Sequence, residues 1–208
     1  MLGISIAFAA AFSWTLACFI WKTETNKFSP FRINLLKNII ATIIFFPIIF
    51  TFNWLSNYRE IAILLLSGAI GIAIGDTLYL SALKRLGTRK TLCIEALSPV
   101  LANIFGTVFI NEELSAKSWL GVFIVVLSLI GIAKQKPKAI DNSLIKLNQH
   151  KDGLVFAFLS IICALLGAIL SRMVLINSDL LPYQTTEIRL IGSLICLLPF
   201  VNISNIYI

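Results

Sequence analysis

The sequence predicts an all-α, polytopic membrane helix bundle with about seven transmembrane helices. Of its 208 residues, 58% are hydrophobic and 13% are charged, whereas a soluble domain carries about 25% charged residues. The apolar residues are also grouped into long blocks, and a helix needs about 20 of them to cross a bilayer. Since main-chain groups inside lipid must be hydrogen-bonded within their own segment, these blocks are expected to be helices.

The expected spans follow one another through mostly short, polar turns. Span 2 is entered through Ser29 and Pro30, a pair that favours a helix start. Span 3 contains Gly71 and Gly75, and small residues at this spacing let a neighbouring helix backbone approach closely. The seven predicted spans cover residues 3–21, 32–52, 61–83, 91–110, 116–133, 152–175 and 183–201.

The chain repeats one pattern on either side of a polar, basic linker at 134–151. The pattern predicts a five-helix repeat at 1–133, the linker, and a partial second repeat of two helices at 152–208. Since the first copy has an odd number of spans, the second enters the membrane upside down, and inverted repeats of this kind are typical of transporters. The residues that carry the repeat stand 152 positions apart: Pro30 and Pro182, Lys37 and Arg189, Pro47 and Pro199.

The formal charge of +7 does not indicate a nucleic-acid-binding protein. Lys and Arg are concentrated in the loops after spans 1, 3 and 5, so they act as topology signals and form no continuous basic stripe. The positive-inside rule then places the N-terminus outside. The sequence contains no nucleophile–histidine–carboxylate set, phosphate-binding glycine loop or carboxylate cluster with metal spacing. We therefore expect no enzyme, no cofactor and no metal site, and the four cysteines should be small buried hydrophobes.

A few polar and ionisable residues interrupt the spans, and they are the candidates for a substrate cavity. An ionisable side chain at the centre of a membrane helix costs about 2.5–3.5 kcal/mol on insertion scales, so it usually faces protein or water. In span 4, Glu95, Pro99 and Asn103 recur at helical spacing and are expected to form one polar face, broken locally by the proline. Snorkelling, structural ion pairing or plain packing is the alternative for each residue. The predicted cavity residues are Trp14, Asn34, Lys37, Asp76, Tyr79, Glu95, Pro99 and Asn103.

Two stretches of the chain resemble the EamA-type transporters of the drug/metabolite transporter superfamily. They are GIAIGDTLYLSALKRLG at 71–87 and EALSPVLANIFGTVFINEELSAKSWLG at 95–121. The matching features are an Ala-Leu-basic end of span 3, a proline in span 4, and a glutamate followed nine residues later by a glycine in span 5. In this chain they are Ala82-Leu83-Lys84, Pro99, and Glu112 with Gly121.

The resemblance implies an alternating-access carrier with a central cavity between its first helices. Lys37 and Glu95, followed by Asp76, would then serve charge recognition or proton coupling. This chain departs from the family in two ways. Its second copy has two spans where the family has five, and the charge-based orientation is opposite to the family's usual cytoplasmic N-terminus.

The sequence thus predicts a permease or exporter of small metabolites or drugs, as an integral multi-pass protein of the plasma (inner) membrane of a bacterium. Its expected partners are the lipid bilayer and a small-molecule substrate, without nucleic acid. The alternative is a non-transporting truncated fragment or a partner subunit of a split transporter. Because three helices of the first copy have no counterpart in the second, a second chain or self-association is expected to complete the bundle.

Overall fold

The computed structural model describes residues 2–51, 58–110, 119–125, 127 and 144–201. Within them the fold is helical throughout, without β-strands. Three further segments are tighter or wider than an α-helix: 3₁₀ turns at Phe46–Thr51 and Leu198–Phe200, and a π-helix at Ala69–Ile74. The α-helices are α1 (Leu2–Glu24), α2 (Pro30–Phe45), α3 (Tyr58–Gly68), α4 (Gly75–Leu86), α5 (Thr88–Glu95), α6 (Ser98–Ile110), α7 (Leu144–Asn177) and α8 (Pro182–Leu197).

The helices have the length and apolarity of membrane spans. Four stretches qualify on both criteria within the described residues: Ser5–Glu24, Pro30–Thr51, Tyr58–Leu86 and Lys151–Asn177. Large apolar side chains point outward from them, as shown by Phe8 at 78% and Phe50 at 80% exposure. Lipid rather than water suits such a surface, because an exposed apolar surface of this extent is unfavourable in water. The predicted fold class, an all-α membrane helix bundle, is confirmed.

The centre of the bundle is the continuous helical rod Tyr58–Leu86, which is α3, the π-helix and α4 end to end. Its most extensive contacts are with α7 and α8. At the crossing with α7, a Cβ added to Gly167 would lie 2.8 Å from the Cα of Gly71. The hydroxyl of Ser67 donates a 2.7 Å hydrogen bond to the carbonyl oxygen of Gly167 at the same place. The two backbones therefore meet directly, as small residues allow.

The first helix of each predicted repeat copy can be oriented through the central rod. Helix α1 runs in the same direction as α4, since Cys18 meets Tyr79 and Lys22 donates to the carbonyl of Lys84. Helix α7 runs against the rod, because Gly75 faces its middle whereas its residue Gly153 packs on the far end of α4. Helices α1 and α7 consequently run in opposite directions.

The second helices of the two copies are also antiparallel. Gln184, at the start of α8, donates hydrogen bonds of 3.0 and 3.1 Å to Thr51, at the end of the α2 extension. At the other end of both helices, Phe31 and Phe200 line one groove. An inverted repeat requires these directions, and the repeat itself stays a prediction from the sequence.

The structure corrects the prediction for span 4, which is two helices. Helix α5 ends at Glu95, residues 96–97 form a turn, and α6 begins at Ser98. Pro99 explains the break, because it has no N–H to donate to the carbonyl of Glu95, whereas a proline is tolerated in the first turn of a new helix. The predicted polar face is therefore divided between two helices, with Glu95 at the end of α5 and with Pro99 and Asn103 on α6.

The structure also moves the start of span 6 to an earlier residue, and it describes only part of span 5. Helix α7 begins at Leu144, inside the segment predicted as linker. No proline or glycine stands between residues 144 and 152, so the helix continues beyond its apolar part. Residues 119–125 and 127 are helical as predicted for span 5, and the other residues of that span lie outside the described ones, as do Glu112 and the linker at 134–143.

Candidate functional site

The strongest charge contact among the predicted residues joins α2 to α4. The ammonium group of Lys37 forms an ion pair and hydrogen bond with the Asp76 carboxylate, and the two side chains are 24% and 22% exposed. The same ammonium lies 5.4 Å from the ring centroid of Trp21 on α1. Pairing offsets the cost of placing each charge inside a membrane protein, and an aromatic face adds to it. Both ionisable residues therefore face protein.

Glu95 lies at the end of α5, against α1 and α4. Its carboxylate interacts with the indole N–H of Trp14 and the hydroxyl of Tyr79. Its Oε2 atom is buried and has no hydrogen-bond partner among the described residues. A buried polar atom without a partner is uncommon in a folded protein and is costly. Glu95 thus keeps one acceptor free in a protein-lined position.

Aromatic rings enclose this carboxylate from the side of α1. The Trp14 ring centroid lies 5.2 Å from that of Trp21, edge to face, and 5.7 Å from that of Tyr79. Tyr79 is 6% exposed, and its hydroxyl lies 3.0 Å from the Sγ of Cys18, which is fully buried. The rings hold one another in place, because aromatic contacts of this geometry add stability beyond their buried area.

Asn34 on α2 also contacts the rod, and its side chain is engaged in hydrogen bonds there. It is fully buried, and its Nδ2 donates to the carbonyls of Ile72 and Ala73 at 3.0 and 3.1 Å and to the Thr77 hydroxyl at 2.9 Å. A π-helix displaces carbonyls from their α-helical partners, so a side-chain donor can satisfy them. Asn38 in turn donates to Asn34 at 3.0 Å. The structure therefore gives Asn34 a role in fixing the π-helix.

Pro99 and Asn103 are not part of this cluster. Both lie on α6, beyond the turn that ends α5, where Pro99 is exposed and Asn103 is half-buried. Thr107 caps the carbonyl of Asn103 at 3.2 Å. The contact of α6 is with α7. Six of the eight predicted residues are thus close to one another, and these two are on a separate helix.

The cavity near the cluster borders Lys37. It is an open groove of ≈ 410 Å³ between the end of α1 and the outer face of α2. Trp21, Glu24 and Lys37 line it together with apolar side chains of α2, and Asp76 and Glu95 do not. Lys37, Asp76 and Glu95 thus belong to a contact network beside this groove, and their shared substrate cavity stays a prediction.

A comparison of the sequence with known protein families identifies the family of this chain. The model of the EamA-like transporter family matches residues 1–134, which is more than half of the chain. The chain belongs to the EamA-like transporter family. The resemblance derived from its motifs is confirmed, and the chain is an integral membrane protein.

Two curated relatives support the assignment. One is an "Uncharacterized transporter" of Archaeoglobus fulgidus, 27% identical over 129 residues, which are 62% of this chain and 45% of the relative. Another is "Uncharacterized transporter YwfM" of Bacillus subtilis, 24% identical over 133 residues, which are 63% of this chain and 45% of the relative. The chain thus spans less than half of each relative that it matches. No solved structure matches it with significance.

Two residues of this EamA-family chain belong near the site and were not predicted there. Trp21 follows Trp14 by seven residues and so lies on the same face of α1, a spacing that the sequence shows. The guanidinium of Arg189 on α8 lies next to Gly71, five residues before Asp76 on the rod. Its sequence signal was its position 152 residues after Lys37 in the repeat.

Proposed function

We propose that the protein is a membrane transporter of small metabolites or drugs that works by alternating access. Membership of the EamA-like transporter family supports this proposal, as do the transporter names of the two relatives. A transporter needs polar groups inside the membrane that face protein or solute. The cluster of Glu95, Lys37 and Asp76, on three different helices, supplies such groups.

Glu95 is the observation that carries the proposal. Three helices converge on its carboxylate, and Oε2 remains buried without a hydrogen-bond partner among the described residues. A solute that offers an N–H or O–H donor would satisfy this acceptor, and a hydrogen bond to a charged group contributes about 1.5–3 kcal/mol. Lys37 is already paired with Asp76, so we assign solute contact first to Glu95.

The location and partners are proposed on the same basis. We place the protein in the plasma (inner) membrane of a bacterium. One of the two relatives is a bacterial protein. Its partners would be the bilayer, a small solute, and a second copy or second chain that covers outward-facing helices. The mass of the detergent-solubilised protein, measured by light scattering, tests the last point. The mass of a monomer would contradict it.

The decisive experiment is solute flux into vesicles that contain the purified protein. Labelled amino acids, nucleosides, sugars and organic cations are offered in parallel, and the solute that enters only vesicles with wild-type protein becomes the probe. Glu95→Gln should reduce the flux of that solute by about tenfold or more, since a charged hydrogen bond is lost. Glu60→Gln is the matched control, because Glu60 lies in the first turn of α3, sixteen residues before Asp76 on the rod.

Two results would contradict the proposal. Wild-type vesicles that transport none of the four solute classes would favour the partner-subunit alternative. Unchanged flux in a folded Glu95→Gln variant would remove Glu95 from the solute site.

A further inference from the structure

Asp76 has cations from two different helices in its neighbourhood. Lys37 on α2 is in direct contact with it. Arg189 on α8 reaches the same rod five residues before Asp76. The guanidinium of Arg189 rests against Gly71, where an added Cβ would lie 3.4 Å from its Nη2. Gly71 precedes Asp76 by about one turn of the π-helical rod, so the absence of a side chain there gives the guanidinium its place.

The two cations hold equivalent positions in the predicted repeat. Arg189 follows Lys37 by 152 residues, and the prolines on either side keep the same spacing. Their helices, α2 and α8, are antiparallel neighbours that both pack against the rod. One carboxylate of the rod therefore has cations from both predicted repeat copies near it.

The present structure uses one of the two possible pairings. Within the described residues, ion pairs join Lys37 to Asp76 and Lys27 to Glu24, and Arg189 takes part in neither. The Nε of Arg189 is buried without a hydrogen-bond partner there. An arginine inside a membrane bundle gains from a carboxylate partner, since an unpaired charge is costly. Asp76 is a candidate for that partner, since the guanidinium lies next to Gly71, about one turn of the rod before Asp76.

The π-helix directly before Gly75 gives Asp76 a means to change partner. A π-helix holds more residues in each turn than an α-helix, and single π turns occur frequently at functional sites. Conversion of the π register to the α register by one residue would rotate everything after it by about 100° around the rod axis. That rotation would carry Asp76 and Tyr79 together, because both lie on α4.

We propose that Asp76 is the shared counter-ion of Lys37 and Arg189 and passes from one to the other as the rod changes register during transport. Arg189 is then a positioning residue that acts through Asp76. This inference rests on the proposed transport function, because the exchange is a step of that cycle. It requires no solute, so it can be tested separately from flux.

The first test is thermal unfolding of purified variants in detergent. Lys37→Met and Arg189→Met should each lower the unfolding midpoint modestly, since the remaining cation still pairs with Asp76. In the double variant the unfolding midpoint should fall by more than the sum of the two single decreases, because Asp76 then lacks any cation. Adding Asp76→Asn to the double variant should recover much of that loss. In the Lys37→Met background, Arg189→Lys should be more stable than Arg189→Met.

A packing role for Arg189 would give a different pattern. Additive losses, or no recovery with Asp76→Asn, would overturn the shared counter-ion. Lys22→Met, combined with Lys37→Met, is the control and should be additive, since Lys22 donates to a main-chain carbonyl. Should the double variant fail to accumulate, the amount of triple variant in the membrane decides in the same way.

The second test follows the register through Cys18, which is fully buried against Tyr79. The other three cysteines are replaced by serine, and alkylation of Cys18 by a membrane-permeant maleimide is timed. Lys37→Met should accelerate alkylation, because Asp76 moves to Arg189 and α4 rotates. Arg189→Met should leave the wild-type rate, because the present pairing persists. Equal alkylation rates in the two variants would overturn the exchange of Asp76 between the two cations. The transport function would still be tested separately, by the flux of the Glu95→Gln variant.

Discussion

Asn34 donates a hydrogen bond from its side-chain amide to the main-chain carbonyl of Ile72, in the middle of the π-helix. The side chain is fully buried and serves two further acceptors on the same rod. One residue of α2 thus stabilises an unusual backbone segment of another span. This contact places Asn34 among the residues that hold the site together.

We expect Asn34→Leu to destabilise the protein by about 1–3 kcal/mol, because buried carbonyls lose their donor. Thermal unfolding in detergent measures the loss. Asn177→Leu is the control, since Asn177 is exposed and bonds only to the carbonyl of Met173 on its own helix. A stable Asn34→Leu variant that has lost solute flux would instead show that Asn34 contacts the solute.

Gly167→Val should destabilise the contact between α7 and the rod by about 1–3 kcal/mol or more, the usual range for overpacking. The new Cβ would lie 2.8 Å from the Cα of Gly71, and a backbone atom cannot rotate away. Gly3→Val is the control, because an added Cβ there meets nothing within 4 Å. Equal unfolding midpoints for the two variants would contradict the close crossing.

Tyr79→Phe should keep the fold and reduce solute flux. The buried ring remains, while the hydroxyl that contacts both Cys18 and Glu95 is removed. We therefore expect the substitution to matter much less in a Glu95→Gln background, since coupled residues give non-additive effects. Tyr183→Phe, at an exposed position on α8, is the control for flux. Fully additive losses would show that Tyr79 and Glu95 act independently.

Glu187→Met should raise the unfolding midpoint. Glu187 is completely buried on α8, and neither of its carboxylate oxygens has a hydrogen-bond partner among the described residues. Replacement of an unpaired buried charge by an apolar side chain of similar length removes a desolvation cost and is often stabilising by about 1–4 kcal/mol. The unfolding midpoint of Glu187→Gln should lie between those of the wild-type protein and Glu187→Met. A lower midpoint for Glu187→Met would mean that the carboxylate has a partner in the membrane.

Composition and block length were sufficient to predict the fold class, because the bilayer demands long apolar helices. The boundaries failed where other physics decides them. Pro99 ended one helix and began another inside an apolar run, and α7 extended into a polar segment that hydropathy excludes from the membrane. The π-helix gave no signal, since its residues Ala69–Ile74 read as an ordinary apolar span.

The candidate site was partly predictable for a related reason. Ionisable residues inside spans stand out in a sequence, so Lys37, Asp76 and Glu95 could be found. Their partners could not, because contacts such as that of Lys37 with Asp76 depend on which helices are neighbours and at what height. Asn34 is a further example: its polarity indicated a cavity, while its hydrogen bonds to the carbonyls of the π-helix could not be predicted.

The backbone crossing of Gly71 and Gly167 also bears on how this family can evolve. Each position limits the other, since a Cβ added to Gly167 would lie 2.8 Å from the Cα of Gly71, and one added to Gly71 would lie 3.2 Å from the Cα of Gly167. Relatives that carry alanine or serine at one position should therefore show a compensating shift of helix α7 or a second substitution nearby. An alignment of many homologues should accordingly display these two columns as a covarying pair, although they are far apart in the chain.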